Sequence, residues 1–140
     1  MEILLVEDNL ADVRLITEVI RDSKIIKKCH VVKDGLEALQ FLHKEGEFEK
    51  APVPDVILLD LNLPKKNGFE VLTELKNNTL LEKIPVVIVT SSTNEDHIKK
   101  CYEMYANCYV VKPTKFDDYE EVIKTIESFW GKIATLPSTP

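Results

Sequence analysis

The chain has 140 residues, 44% of them hydrophobic and 30% charged, with a net charge of −6 and a pI near 5.1. This length and balance predict one soluble globular domain with room for a substantial core. The acidic balance argues against a nucleic-acid or membrane surface as main partner. No stretch approaches the ~18 apolar residues of a membrane span, and no signal peptide is expected ahead of the first apolar run.

The first strand is predicted at Ile3-Leu4-Leu5-Val6, which runs into Glu7-Asp8. Asn9, with Asp12 three residues on, forms an approximate capping box for a helix whose apolar face carries Val13, Ile16 and Ile20. Lys28–Val32 reads as a short second strand. Asp34 with Glu37 repeats the cap signal ahead of Leu36, Leu39 and Leu42, and residues 46–54 form a polar, proline-bearing connection. The third strand, Val56-Ile57-Leu58-Leu59, ends in Asp60. A turn-rich loop from Leu61 to Gly68 leads into a helix through Phe69, Leu72 and Leu75.

Pro85 introduces a fourth strand, Val86-Val87-Ile88-Val89, which ends in Thr90. Thr93 and Asp96 are expected to open the next helix, and Asn107 to end it in a left-handed conformation. Tyr109-Val110-Val111 forms the fifth strand and runs into Lys112-Pro113. The last helix shows the clearest stripe, Phe116, Tyr119, Ile123, Ile126 and Trp130, and the segment after Gly131 reads as a flexible end.

Five strands alternating with five helices predict a doubly wound α/β domain with helices on both faces of a parallel sheet. Short, β-branched, nearly unbroken runs are what strands buried on both faces look like. Parallel strands end at one edge, where open α/β sheets bind ligands. Glu7, Asp8, Asp60, Thr90 and Lys112 are therefore expected in one cleft. Three carboxylates against one ammonium leave a charge deficit that a divalent cation would close. Oxygen donors without nearby His or Cys favour Mg²⁺. Cys29, Cys101 and Cys108 lack metal-ligand spacing and read as reduced thiols; His30, His43 and His97 read as structural or solvated.

In this order and at these strand ends, Glu7-Asp8, Asp60, Thr90 and Lys112-Pro113, with Pro64 and Gly68 beyond Asp60, resemble the receiver domain of two-component response regulators. The resemblance runs from Ile3 to about Trp130, implying a receiver domain over residues 1–130 and a C-terminal tail over 131–140. It implies a flavodoxin-like fold with strand order 2-1-3-4-5. It also implies a cytoplasmic phosphoprotein that accepts a phosphoryl group on Asp60 from a sensor histidine kinase. Metal ligation falls to Glu7, Asp8, Asp60 and Asn62, with Mg²⁺ as cofactor and Mn²⁺ as substitute. Phosphoryl binding and switching fall to Thr90, Ser91, Lys112 and Tyr109. Gly68 and Pro113 are structural, Pro113 through a cis bond that aims Lys112.

Gly46-Glu47-Phe48, the loop from Leu61 to Lys66, and Glu127-Ser128-Phe129-Trp130 are similar more narrowly to single-domain regulators that serve phytochrome-type kinases. Homodimerisation through the fourth helix, fifth strand and fifth helix is expected, with no attached output segment and no nucleic-acid or membrane partner. Two other readings compete. A haloacid dehalogenase-type phosphatase needs an acid two positions after its nucleophile, where this chain has Asn62. A phosphorylation-independent interaction module would normally have lost part of the acid, Thr and Lys set, all of which is present here.

Overall fold

A computed structural model describes residues 1–137. Strands β1 (Glu2–Val6), β2 (Lys28–Val32), β3 (Val56–Leu59), β4 (Val86–Thr90) and β5 (Cys108–Val111) alternate with helices α1 (Leu10–Arg21), α2 (Gly35–Leu42), α3 (Gly68–Lys76), α4 (Glu95–Glu103) and α5 (Phe116–Ser128). All strand pairs are parallel and the order is 2-1-3-4-5, as expected.

Because successive side chains point to opposite faces of a strand, each central strand feeds two cores. Leu4, Val6, Ile57, Leu59, Val86 and Ile88 pack toward α2, α3 and α4. Their neighbours Ile3, Leu5, Val56, Leu58, Val87 and Val89 pack toward α1 and α5. Burial of β1, β3 and β4 is nearly complete, whereas β5 is only half-buried. On α5 the stripe is buried at Tyr119, Ile123 and Ile126, while Phe116 is exposed and Trp130 packs beside the α1–α5 core. Among the described residues no helix is long and apolar enough to cross a membrane.

The starts of α1 to α4 follow side-chain chemistry. Asn9 Oδ1 accepts from the Asp12 amide at 3.1 Å, and Asp34 Oδ1 accepts from the Glu37 amide at 2.7 Å. Asn67 and Glu70 form a full capping box at α3. The expected cap at Thr93 is one residue early. Asn94 caps α4, because its Oδ1 reaches both the Asp96 and His97 amides, at 2.8 and 3.4 Å.

Asn107 is not the left-handed stop. That conformation falls on Tyr105 (φ 66°), and Asn107 instead clips onto Val86, donating from its amide to the Val86 carbonyl and accepting the Val86 amide at 2.9 Å. The connection after α2 holds a short 3₁₀ turn, Gly46–Phe48. Past α5 the chain continues as a π-helical turn, Phe129–Ile133, and Leu136 packs beside the α1–α5 core. Residues 138–140 of the expected tail lie outside the described residues.

Candidate functional site

Sheet register places the charged residues. Val6 lies opposite Leu59, Leu59 opposite Ile88, and Thr90 opposite Val111, so the C-terminal ends of β1, β3, β4 and β5 share one edge. The ladder runs one step past the strands: the Glu7 amide donates to Val32 O and the Asp60 amide to Val6 O, each at 3.1 Å, and the Lys112 amide to Thr90 O at 2.7 Å. The backbone under each charged side chain is therefore fixed by sheet hydrogen bonds.

A cavity of about 490 Å³ opens over that edge, lined by Glu7, Asp8, Asp12, Asp60, Lys112 and Tyr119 among others. Carboxylate oxygens of Glu7, Asp8 and Asp60 lie within 4.8 Å of one another. Glu7 and Asp60 are buried and Asp8 is exposed. Lys112 Nζ donates to Glu7 Oε2 and Asp12 Oδ2 at 2.8 Å each, and to Asp60 Oδ2 at 3.3 Å, which occupies all three of its N–H groups. Asp60 Oδ1 accepts from the Leu61 amide at 2.7 Å and, at 3.4 Å, from the Asn62 amide. Glu7 Oε1 accepts from the Asn9 amide at 3.1 Å.

Burial pushes the Glu7 carboxyl up to about 7; the Lys112 hydrogen bond pulls it down and the Asp60 charge adds to the rise. For Lys112, burial opposes the ammonium. Hydrogen bonds to Asp12 and Glu7 and the charges of Asp60 and Glu7 outweigh it, so its pKa stands above the usual lysine value.

Asn62, Ser91 and Pro113 also line the cavity. Thr90 is fully buried, and its hydroxyl accepts a long 3.5 Å bond from the Ser92 amide. Tyr109 is half-buried against the α2–α4 core, with its hydroxyl donating to Ser92 O at 2.9 Å, and burial raises its pKa. Gly68 is confined: a Cβ there would collide with the Asp60 carbonyl, so the start of α3 can press against the strand end that carries Asp60 only without a side chain.

The expected cis bond before Pro113 is not found, since no peptide bond among the described residues is cis. Trans is the lower-energy form even before proline, and the aim of Lys112 is set instead by its three carboxylate partners and its amide bond to Thr90.

Sequence reasoning missed two contributors. Asp12 was spoken for by the helix cap, yet its amide meets Asn9 while its carboxylate meets Lys112. Asp12 stands in the first turn of α1, and nothing in the sequence ties that turn to the end of β5. Ser92 holds Tyr109 through its carbonyl and His97 through its hydroxyl, 2.8 Å from Nδ1, and nothing in the run Thr90-Ser91-Ser92-Thr93 marks it out from its neighbours.

Comparison with known proteins agrees with this geometry. Residues 3–124 match the family model of the response regulator receiver domain. Response regulator Rcp1 of Synechocystis sp. is 49% identical over 136 residues, spanning 97% of this chain and 92% of Rcp1. The crystal structure of the Mn²⁺-bound form of Rcp1 superposes with a TM-score of 0.94 at 49% identity, covering 98% of this chain and 99% of that one. The structure of the phosphorylated cyanobacterial phytochrome response regulator RcpA gives 0.95 at 48% identity, covering 98% of each chain. With this edge geometry, a match over most of its length and relatives of nearly equal extent, the chain belongs to the response regulator receiver domain family.

Proposed function

We propose that the chain accepts a phosphoryl group on Asp60 from the phosphohistidine of a sensor histidine kinase of phytochrome type. The observation that carries this reading is the setting of the Asp60 carboxylate. It is buried in the acid cluster at the sheet edge, with Oδ1 tied to the Leu61 amide and Oδ2 facing Lys112. Fixing one oxygen leaves the other to form the O–P bond while the phosphorus–nitrogen bond to histidine breaks and the imidazole leaves.

Each neighbour has a role in that transfer. Lys112 offers its ammonium to a phosphoryl oxygen as a point charge. Thr90 and Ser91, at the end of β4, offer hydroxyl hydrogen bonds to another. The donor set fits a hard divalent cation, because Glu7, Asp8 and Asp60 supply only carboxylate oxygens within 4.8 Å of one another. We assign Mg²⁺ to it, with Mn²⁺, the ion bound in the Rcp1 structure, as substitute. Asp8 and Asp60 would ligate directly, Glu7 mainly through water and Asn62 through its carbonyl. When bound, the ion supplies charge compensation between the acids and the incoming phosphoryl group.

The resulting population shift leaves through Tyr109. Its bond to Ser92 O links β5 to the loop after Thr90, so movement of that loop re-poses the ring. The output surface is the α4–β5–α5 face, which presents exposed Tyr102 and Tyr105 and serves homodimerisation. The chemistry is self-phosphorylation and self-dephosphorylation, without turnover of outside substrates. Free Cys29, Cys101 and Cys108 accord with a cytoplasmic location.

Intact-mass measurement after incubation with acetyl phosphate and Mg²⁺ tests the assignment. One acid-labile phosphoryl group is expected on the wild type and none on Asp60→Asn. Stoichiometric label on the Asn variant would place the acceptor elsewhere.

A further inference from the structure

All three N–H groups of Lys112 are committed to carboxylates. The contact to Asp60 Oδ2 is the longest, 3.3 Å against 2.8 Å to Glu7 and to Asp12, so an ammonium drawn toward a phosphoryl oxygen beyond Oδ2 moves against those two shorter bonds. The two carboxylates differ in how readily they let it go. Glu7 is poorly placed to do so, being almost wholly buried with its other oxygen tied to the Asn9 amide. Asp12 is better placed: it sits in the first turn of α1 with its side chain 22% exposed, and its carboxylate serves no backbone group.

Beside it stands an unexplained group. Tyr119 lines the same cavity, and its hydroxyl is buried with no hydrogen-bond partner among the described residues. A buried hydroxyl with no protein partner is costly to a fold and leaves a donor free for a new acceptor. Its surroundings are acidic. Burial first, then the charge of Asp12, raises the Tyr119 pKa, which keeps the phenol protonated and a donor.

We infer that Asp12 and Tyr119 form a holding device for Lys112: Asp12 competes with the phosphoryl group for the ammonium, and the Tyr119 hydroxyl becomes the donor to Asp12 once the ammonium leaves. Both act as positioning residues, working through Lys112 rather than on the phosphoryl group. The inference rests on the reading of Asp60 as phosphoacceptor.

The device sets the balance between resting and phosphorylated forms. Asp12 also places a further negative charge near the incoming dianion, and that effect has the same sign as the competition for Lys112. Tyr119 opposes the competition by lowering the cost of releasing Asp12.

Beryllium trifluoride, a phosphoryl mimic, titrated with Mg²⁺ and followed by ¹⁹F NMR, provides the test. Asp12→Asn is expected to bind the mimic about three- to tenfold more tightly than the wild type, the size expected for one charge in a partly solvated site. Asp12→Glu, which keeps the charge, should stay near the wild type. Tyr119→Phe should bind the mimic about threefold more weakly, as loss of one hydrogen bond implies, and should add nothing on the Asp12→Asn background. A merely structural role for Asp12 would weaken binding, so the sign alone discriminates. Unchanged or weaker binding by Asp12→Asn overturns the competition, and a Tyr119→Phe effect that persists in the double variant overturns the relay. If the wild type forms no adduct, or Asp60→Asn forms one equally well, the phosphoacceptor reading fails, and that result is distinct from either of the others.

Discussion

Replacing Glu7 with Gln should make the metal-free protein more stable at pH 8, although it removes a salt-bridge partner of Lys112. Burial lifts the Glu7 carboxyl from its ordinary 4.5 to about 7 in the folded state. The folded state therefore holds the Glu7 proton more tightly than the unfolded chain between those two values. The corresponding stability is fully present below pH 4.5 and is lost as pH rises through about 7. At ~1.4 kcal/mol per pKa unit the raised pKa costs the fold about 3 kcal/mol at pH 8, where Glu7 is ionised in both states, and about half of that at pH 5.5, where only the unfolded chain ionises.

Gln mimics the protonated acid and does not titrate. The variant should therefore exceed the wild type by roughly 2–3 kcal/mol at pH 8, an increase in Tm of about 6–10 °C for a domain of this size, with the gap narrowing by about half at pH 5.5. Urea unfolding of both proteins in EDTA, followed by circular dichroism at several pH values, measures this directly. Parallel stability curves across that range would refute the argument that burial governs Glu7. A less stable variant at pH 8 would mean that the bond to Lys112 outweighs desolvation.

Asp8→Ala should abolish Mg²⁺ and Mn²⁺ binding in calorimetry while leaving stability nearly unchanged, because Asp8 is the exposed member of the acid cluster; wild-type metal affinity in the variant would remove Asp8 from the ligand set. Gly68→Ala should destabilise the fold by about 1–3 kcal/mol in denaturant, since the added Cβ meets backbone rather than a flexible side chain. Unaltered stability there would mean that α3 can withdraw from the Asp60 strand end at no cost. Phosphorylation should slow hydrogen exchange across α4, β5 and α5 and raise the sedimenting mass, whereas protection confined to α1 with no change in mass would speak against this output face.

The strand ends were legible because each apolar run stops at a polar residue, and because unbroken β-branched runs identify two-sided burial. That reasoning placed Glu7, Asp60 and Lys112 at one edge. It could not place Asp12 against Lys112, a contact across 100 positions of sequence that depends on how α1 sits over the end of β5. The cap of α4 was missed by one residue because Thr93 and Asn94 are both good caps and only the turn geometry separates them. Asn107 is suited to a left-handed turn, but its side chain finds a better use in accepting the Val86 amide, leaving Tyr105 to make the turn. The expectation for Pro113 failed for a different reason: a cis bond is a property of local packing that the dipeptide does not encode.

The ammonium at the middle of the acid cluster hangs from one of the two border strands of the sheet. β5 has one neighbour, lies at the border of the sheet, and buries its side chains only in part, with Val111 exposed just before Lys112. Strands of this kind open first, well short of global unfolding. When β5 lifts away, the acids on β1 and β3 remain where the interior of the sheet holds them, but they lose their counter-charge and repel one another. The charge balance of the cluster thus acts as a gauge of whether β5 is docked, and any partner that grips this border strand adjusts the acidity of a pocket it never touches.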